Sequence, residues 1–130
     1  MEVGIGKETA VERERMYHEA WSADFDLNAY SGRLARSGVD RLIEIVMASE
    51  EEITILCIGP LVNIAEAVRK QPKIVEKTRI VGMLGSLRSG WFPDHPPVSE
   101  YNIICSTKSA QTVLAKWHGE GKIVLTPLDR

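Results

Sequence analysis

Glu52 to Lys70 reads EITILCIGPLVNIAEAVRK, and this stretch decides the fold. Ile53 to Ile58 form a short, nearly unbroken apolar run rich in β-branched residues. Such a run predicts a strand buried on both faces, as in a parallel sheet. Gly59 and Pro60 end it, since Gly tolerates unusual dihedrals and Pro fits the first turn of a helix, where no donor is needed. Leu61, Ile64, Ala65 and Val68 then recur at helical spacing. A strand that enters a helix through a two-residue turn is half of a βαβ unit. Sheets built this way bind ligands at the carboxyl ends of their strands, where Ile58 and Gly59 sit. Pattern alone fits a plain structural corner equally well, because fold does not settle function.

Upstream, Met1 to Gly6 is a short apolar segment, an edge or truncated strand. Lys7 to Arg15 is charged and solvated. Met16 to Tyr30 mixes aromatics with Asp24, Asp26 and Asn28 without a period, so an ordered loop is predicted. Ser37 can cap the next helix, with Asp40 in its first turn favouring the dipole. Val39, Leu42, Ile43, Val46 and Met47 form that helix's apolar stripe. Downstream, Pro72 starts a short helical turn, and Arg79 to Leu84 is a strand ended by Gly85. Ser86 to Ser99 holds Gly90, Pro93, Pro96 and Pro97 and has no period. Loops of that length in compact domains are often functional. After Glu100 to Cys105 comes a helix capped by Ser106 or Thr107, with Ala110, Val113, Leu114 and Trp117 as its stripe. Gly119 and Gly121 break it, and Ile123 to Leu125 is a last strand, ended by Pro127. Strands alternating with helices predict an α/β fold, a mostly parallel sheet with flanking helices.

The 130 residues suffice for one domain with a core. A net charge of −2 favours neither nucleic acid nor an anionic membrane. Cys57 and Cys105 read as buried free thiols, and two cysteines make no disulfide framework. No apolar stretch approaches the roughly 18 residues of a membrane span. The expectation is a soluble, cytoplasmic protein.

The residues show no CxxC or HExxH cluster, no phosphate loop and no nucleophile elbow. What remains is polar residues placed after strands. Glu100 and Asn102 are one residue apart, so in an extended segment their side chains point the same way. A carboxylate beside a carboxamide suits a polyol, accepting from hydroxyls and also donating to them. A solvent-facing loop edge would look the same. Asp94 and His95 sit in the Pro-rich loop, where Asp readily forms turns. Asn63 has the backbone as its plain partner. His118, at a helix end, suits the helix dipole. Trp21 and Trp91 lie in loops, for stacking or simple packing.

ITILCIGPLVNIAEAVRKQPKIVEKTRIVGMLGS resembles the central segment of the inosine-uridine-preferring nucleoside hydrolases: a strand, G-P-L-T-N-I-A, a helix with a following Pro, and a strand ending I-M-G-G. VSEYNIICSTKSAQTVL is similar to that family's A-E-F-N-I-x-x-D-P-E-A-A, and VLTPLD to its M-V-P-L-D. The matches keep the family's order and spacing over Gly38 to Asp129, and MEVGIG and the residues around His18 fit more loosely. The resemblance implies cleavage of the N-glycosidic bond of ribonucleosides, with a calcium ion on the ribose diol and the attacking water, and an aspartate as base. An oxocarbenium-like transition state makes tight ribose contacts and a deprotonated water useful. Glu100 and Asn102 match the family's ribose-binding Glu and Asn, and Met83 the Met beside the ribose. Asp94 falls where the family has a ribose Asn. His18 matches a base-side His, and Ile58, through its carbonyl, a calcium contact.

Departures accompany these matches. The family's D-x-D-x-x-x-D-D is absent, the first Asp being Asp24, and the later His-Asp pair would lie beyond Arg130. Val62 replaces Thr, Leu84 replaces the first Gly of the pair, and Ser106 replaces Asp. One carbonyl cannot hold calcium. The expectation is therefore a single, partial domain over residues 1–130 that keeps half a ribose site, does not hold calcium stably by itself, and turns over little substrate. A non-catalytic sugar- or nucleoside-binding or assembly module on the same scaffold is the alternative. The expected partner is a ribonucleoside, and exposed apolar edges favour a homo-oligomer.

Overall fold

The computed structural model describes residues 1–9, 18–90, 92 and 95–129. In chain order its elements are β1 (Glu2–Gly4), α1 (Glu19–Ser22), β2 (Arg33–Ala35), α2 (Gly38–Ala48), β3 (Ile53–Cys57), α3 (Val62–Lys70), β4 (Thr78–Met83), α4 (Tyr101–Ile104), α5 (Thr107–Lys116) and β5 (Ile123–Thr126). All described strand pairs are parallel, β1 with β2 in a small sheet and β3-β4-β5 in a larger one. The α/β class with parallel strands and flanking helices is as the sequence predicts. Strand β2, in a short and unpatterned SGRLARS stretch, is not foreseen, and it gives the first strand its partner.

Local chemistry fixes the helices. Ser37 caps α2: its hydroxyl accepts from the Asp40 amide and donates to Asp40 Oδ2 at 2.6 Å. Lys70, in the last turn of α3, reaches Asp40 Oδ1 at 2.7 Å and ties the two helices together. At the other end of α2, Lys77 Nζ donates to the carbonyls of Met47 and Ser49, where the dipole favours a cation. Pro60 plays a different part from the one expected. Leu61 is the N-cap of α3, so Pro60 precedes the helix instead of opening its first turn. Gly59 has no positive φ. Pro72 does start a short 3-10 turn, through Val75. The predicted loop from Met16 to Tyr30 contains α1 and a 3-10 turn at Leu27–Ala29, which Asp26 caps by accepting from the Asn28 amide at 2.8 Å; Met16 and Tyr17 lie outside the described residues.

Helix α2 packs on α3 and α3 on α5, and the core lies between these helices and one face of the larger sheet. It is built from Val39 and Val46 of α2, Ile55 and Cys57 of β3, Ile80 of β4, Leu61, Ile64, Ala67 and Val68, and Ala110 and Val113 of α5. The reading of β3 as buried on both faces is corrected: Leu56 is 66% exposed and Ile58 74%. The described helices that pack on this sheet share one face, so alternate residues of each strand point away from them. The register aligns Leu56, Val81 and Val124 as an apolar row on the open side.

Trp117, 1% exposed, closes the far end of the core. Its Nε1 donates to Thr78 Oγ1 at 3.0 Å, and that hydroxyl donates to the Ile74 carbonyl at 2.7 Å. Gly119 and Gly121, at φ of +108° and +74°, then turn the chain into β5. Thr78 thus serves as donor and acceptor inside an apolar shell. Replacing it by Val keeps the shape and orphans the indole N–H, at a cost of about 1–3 kcal/mol. Urea unfolding should show Thr78→Val well below wild type and Thr78→Ser close to it; equal midpoints for Val and wild type would refute this account of Thr78.

Candidate functional site at the carboxyl ends of β3 and β4

Strand β4 ends at Met83, and Gly85 follows at φ +85°, a conformation that favours glycine. Space around a Cβ at Gly85 is open, so the backbone, not crowding, selects the residue. Two polar side chains from α4 converge here. Glu100 is the N-cap of α4, accepting from the Asn102 amide at 2.7 Å and the Ile103 amide at 3.2 Å. Its Oε2 also accepts from the Gly85 amide at 3.2 Å. Asn102 Nδ2 donates to the Met83 carbonyl at 3.1 Å and lies 3.8 Å from Met83 Sδ. Glu100, Asn102 and Met83, three of the residues expected at the site, are therefore brought together.

They meet by a route other than the one expected. Glu100 to Cys105 is not extended: α4 begins directly after Glu100, and helix capping replaces strand alternation. The Glu100 carboxylate folds back onto the first amides of the turn, which an apolar count over YNIIC does not register. The roles divide accordingly. Glu100 is 4% exposed and holds backbone, whereas Asn102 is half-buried.

The other expected residues take no part in these hydrogen bonds, although the register sets Ile58 next to Met83. Ile58 lies just past β3, its side chain exposed, beside a depression of about 240 Å³ lined by Leu56, Cys57, Gly59, Pro60 and Asn63. Asn63 binds backbone, accepting from the Lys7 amide at 2.7 Å. His18 is exposed, and its carbonyl accepts from the Ser22 amide at 3.0 Å and the Ser22 hydroxyl at 2.9 Å at the start of α1. Asp94 and Trp91 lie outside the described residues. Of the two thiols, Cys57 is buried, and desolvation pushes it up to about 11, so it stays protonated. Cys105 is half-buried, not buried as the sequence predicts.

One residue that organises this region has no role in the sequence reading. Asp129, 8% exposed, accepts from the amides of Leu87 (2.6 Å), Arg88 and Ser89 (3.2 Å). These backbone donors hold its carboxyl down to about 2, so it is ionised across the physiological range. The VLTPLD match was the signal that could have pointed to it.

Calcium takes about six to eight oxygen ligands. Among the described residues no group of three or more His, Cys, Asp or Glu is placed to hold a metal ion. The two carboxylates nearest the end of β4, Glu100 and Asp129, are committed to amides. The described residues do not fit the ion that the resemblance implies.

Comparison with known families matches residues 3–130 to the inosine-uridine preferring nucleoside hydrolases. Over 76 residues the chain is 42% identical to a putative pyrimidine-specific ribonucleoside hydrolase RihB of Shigella boydii serotype 4, covering 58% of this chain and 30% of that protein. A pyrimidine-specific ribonucleoside hydrolase RihB of Escherichia coli O1:K1 gives the same identity over 23% of its length. Among solved structures, an inosine-uridine preferring nucleoside hydrolase from Bacillus anthracis superposes with a TM-score of 0.60 at 28% identity, over 74% of this chain and 33% of that one. A purine-preferring ribonucleoside hydrolase from Gardnerella vaginalis, at 22% identity and a TM-score of 0.62, covers 81% of this chain and 32% of its own, and shares the fold. The chain thus spans about a third or less of the proteins it matches. With the family profile running through both sheets and the Glu100–Asn102 turn, the chain belongs to the inosine-uridine preferring nucleoside hydrolase family.

Proposed function

We propose that this chain carries the ribose-recognising part of an enzyme that hydrolyses the N-glycosidic bond of ribonucleosides to base and ribose. The observation that carries the reading is the convergence of Asn102 and Glu100 on the end of β4, at the carboxyl edge of a parallel sheet. Asn102 offers a carboxamide that both donates and accepts, the pattern a vicinal diol needs. A carboxylate has about four lone-pair sites, and Glu100 uses three on amides. It therefore accepts one hydroxyl at most, while fixing the turn that presents Asn102. Met83 supplies an apolar surface beside the sugar. The resemblance also assigns Asp94 to the ribose side, His18 to the base side and the Ile58 carbonyl to the calcium, and we carry these as roles in the whole enzyme. Relatives named as pyrimidine-specific make pyrimidine ribonucleosides the first substrates to try.

Among the described residues no metal-ligand set is assembled, and the aspartate beside this turn, Asp129, is committed to backbone amides, so we assign ribose binding to this chain and little turnover. A non-catalytic binding or assembly module is the second reading, favoured by the three amides that Glu100 already serves. The row of exposed Leu56 and Val124 flanking the half-buried Val81 favours self-association of the isolated chain.

Two outcomes follow. Incubated with uridine or inosine and calcium, the purified chain should release no more ribose than a Glu100→Gln, Asn102→Ala variant, yet ribose should shift the Asn102 side-chain amide signals in an NMR titration. Absence of both release and shift would sink the ribose reading; release that the variant loses would support the enzyme and refute the low turnover. Sedimentation equilibrium should show concentration-dependent association that Leu56→Lys with Val124→Lys relieves, and a monomer at all concentrations would remove the oligomer.

A further inference from the structure

We propose that Asp129 is a positioning residue for the Glu100–Asn102 pair, acting through the Gly85 peptide; its link to ribose affinity rests on the ribose-binding reading above. The chain after β5 grips the chain after β4 at two points. The Leu128 amide donates to the Gly85 carbonyl at 2.8 Å. One residue on, the Asp129 carboxylate gathers the amides of Leu87, Arg88 and Ser89. Ser86 Oγ donates to the Ser89 carbonyl at 2.7 Å and closes the same turn from inside. The two peptide planes that flank the Gly85 Cα are therefore both held, the 85–86 carbonyl by Leu128 and the 84–85 amide by Glu100 Oε2.

Both Asp129 oxygens bind backbone and the residue is buried, so its part in this proposal is to hold the turn. What it controls is where the turn sits. Gly85 needs its left-handed φ to aim its amide at Glu100, and a turn at 86–89 free to rotate would let that dihedral relax. Loss of the Gly85 bond would leave Glu100 with only its capping bonds, and α4, four residues long, would carry Asn102 away from Met83. Asparagine at position 129 has the same shape, but its amide group meets amide donors with another donor, so part of the cluster must break.

The experiment compares wild type with Asp129→Asn, using isotope-labelled full chain, circular dichroism for folding, and ribose and uridine as probes. The expected result is that Asp129→Asn moves the amide signals of Gly85 and the Asn102 side chain as well as those of Leu87 to Ser89, and weakens ribose binding by about tenfold, a difference of ~1.4 kcal/mol. Changes confined to residues 87–89, with Gly85, Asn102 and affinity unmoved, would overturn the proposal. Should wild type bind neither probe, the ribose reading fails separately, and the Gly85 and Asn102 signals still decide the positioning role. Should Asp129→Asn not fold, hydrogen exchange on wild type decides: Gly85 and Leu87 to Ser89 opening together supports the coupling, and free exchange at 87–89 beside a protected Gly85 refutes it.

Discussion

Burial of a single face of the β3-β4-β5 sheet governs this molecule. Ile55, Cys57 and Ile80 point into the layer made by α2, α3 and α5, while Leu56 and Val124 point out of it. Each fully buried Val, Leu or Ile side chain contributes about 1.5–3 kcal/mol relative to exposure, so the helical layer sets strand register by itself. A slip of one residue would exchange the two faces of β3. The same register places the ends of β3 and β4 side by side, and the candidate site lies at that edge.

At that edge, carboxylates hold backbone. Glu100 and Asp129 together accept from six amides, those of Gly85, Asn102 and Ile103 and those of Leu87, Arg88 and Ser89. A loop after a strand carries amides with no ladder partner, and each one buried unpaired is costly. Acidic side chains meet that demand and give the turn a definite shape. The consequence for function is a division of labour. Glu100 is buried on backbone amides, and Asn102 is half-buried with its Nδ2 on the Met83 carbonyl, so in the proposed reading Asn102 is the group left to meet a sugar.

Membership of a nucleoside hydrolase family and the poor fit of the described residues to a metal ion are compatible. The chain spans about a third or less of the proteins it matches, and the sugar-facing and metal-facing functions of one site can reside on different stretches of polypeptide. A parallel sheet with an open apolar face fits the same picture, since such sheets are ordinarily covered on both sides.

Local sequence determined much of this protein. The apolar run at Ile53–Cys57, the Ser37 cap of α2, the stripes of α2, α3 and α5 and the order of strands and helices all follow from spacing and capping within about a dozen residues. The pairing of Glu100 with Asn102 was also legible, as two polar residues after a strand. Tertiary structure decided what depends on distant partners. Whether β3 is covered on one face or two is set by where three helices lie, which no alternation within β3 encodes. Strand β2 exists because β1 is there to pair with it. Glu100 caps α4 through the amides of Asn102 and Ile103, and the Gly85 amide, 15 residues away, is a third donor that only the fold brings to its carboxylate. Asp129 acquires its role only when the end of β5 meets the turn after β4, some 40 residues earlier in the chain. Hydrogen bonds of that range have no periodic trace in a sequence, and the fold alone brings their partners together.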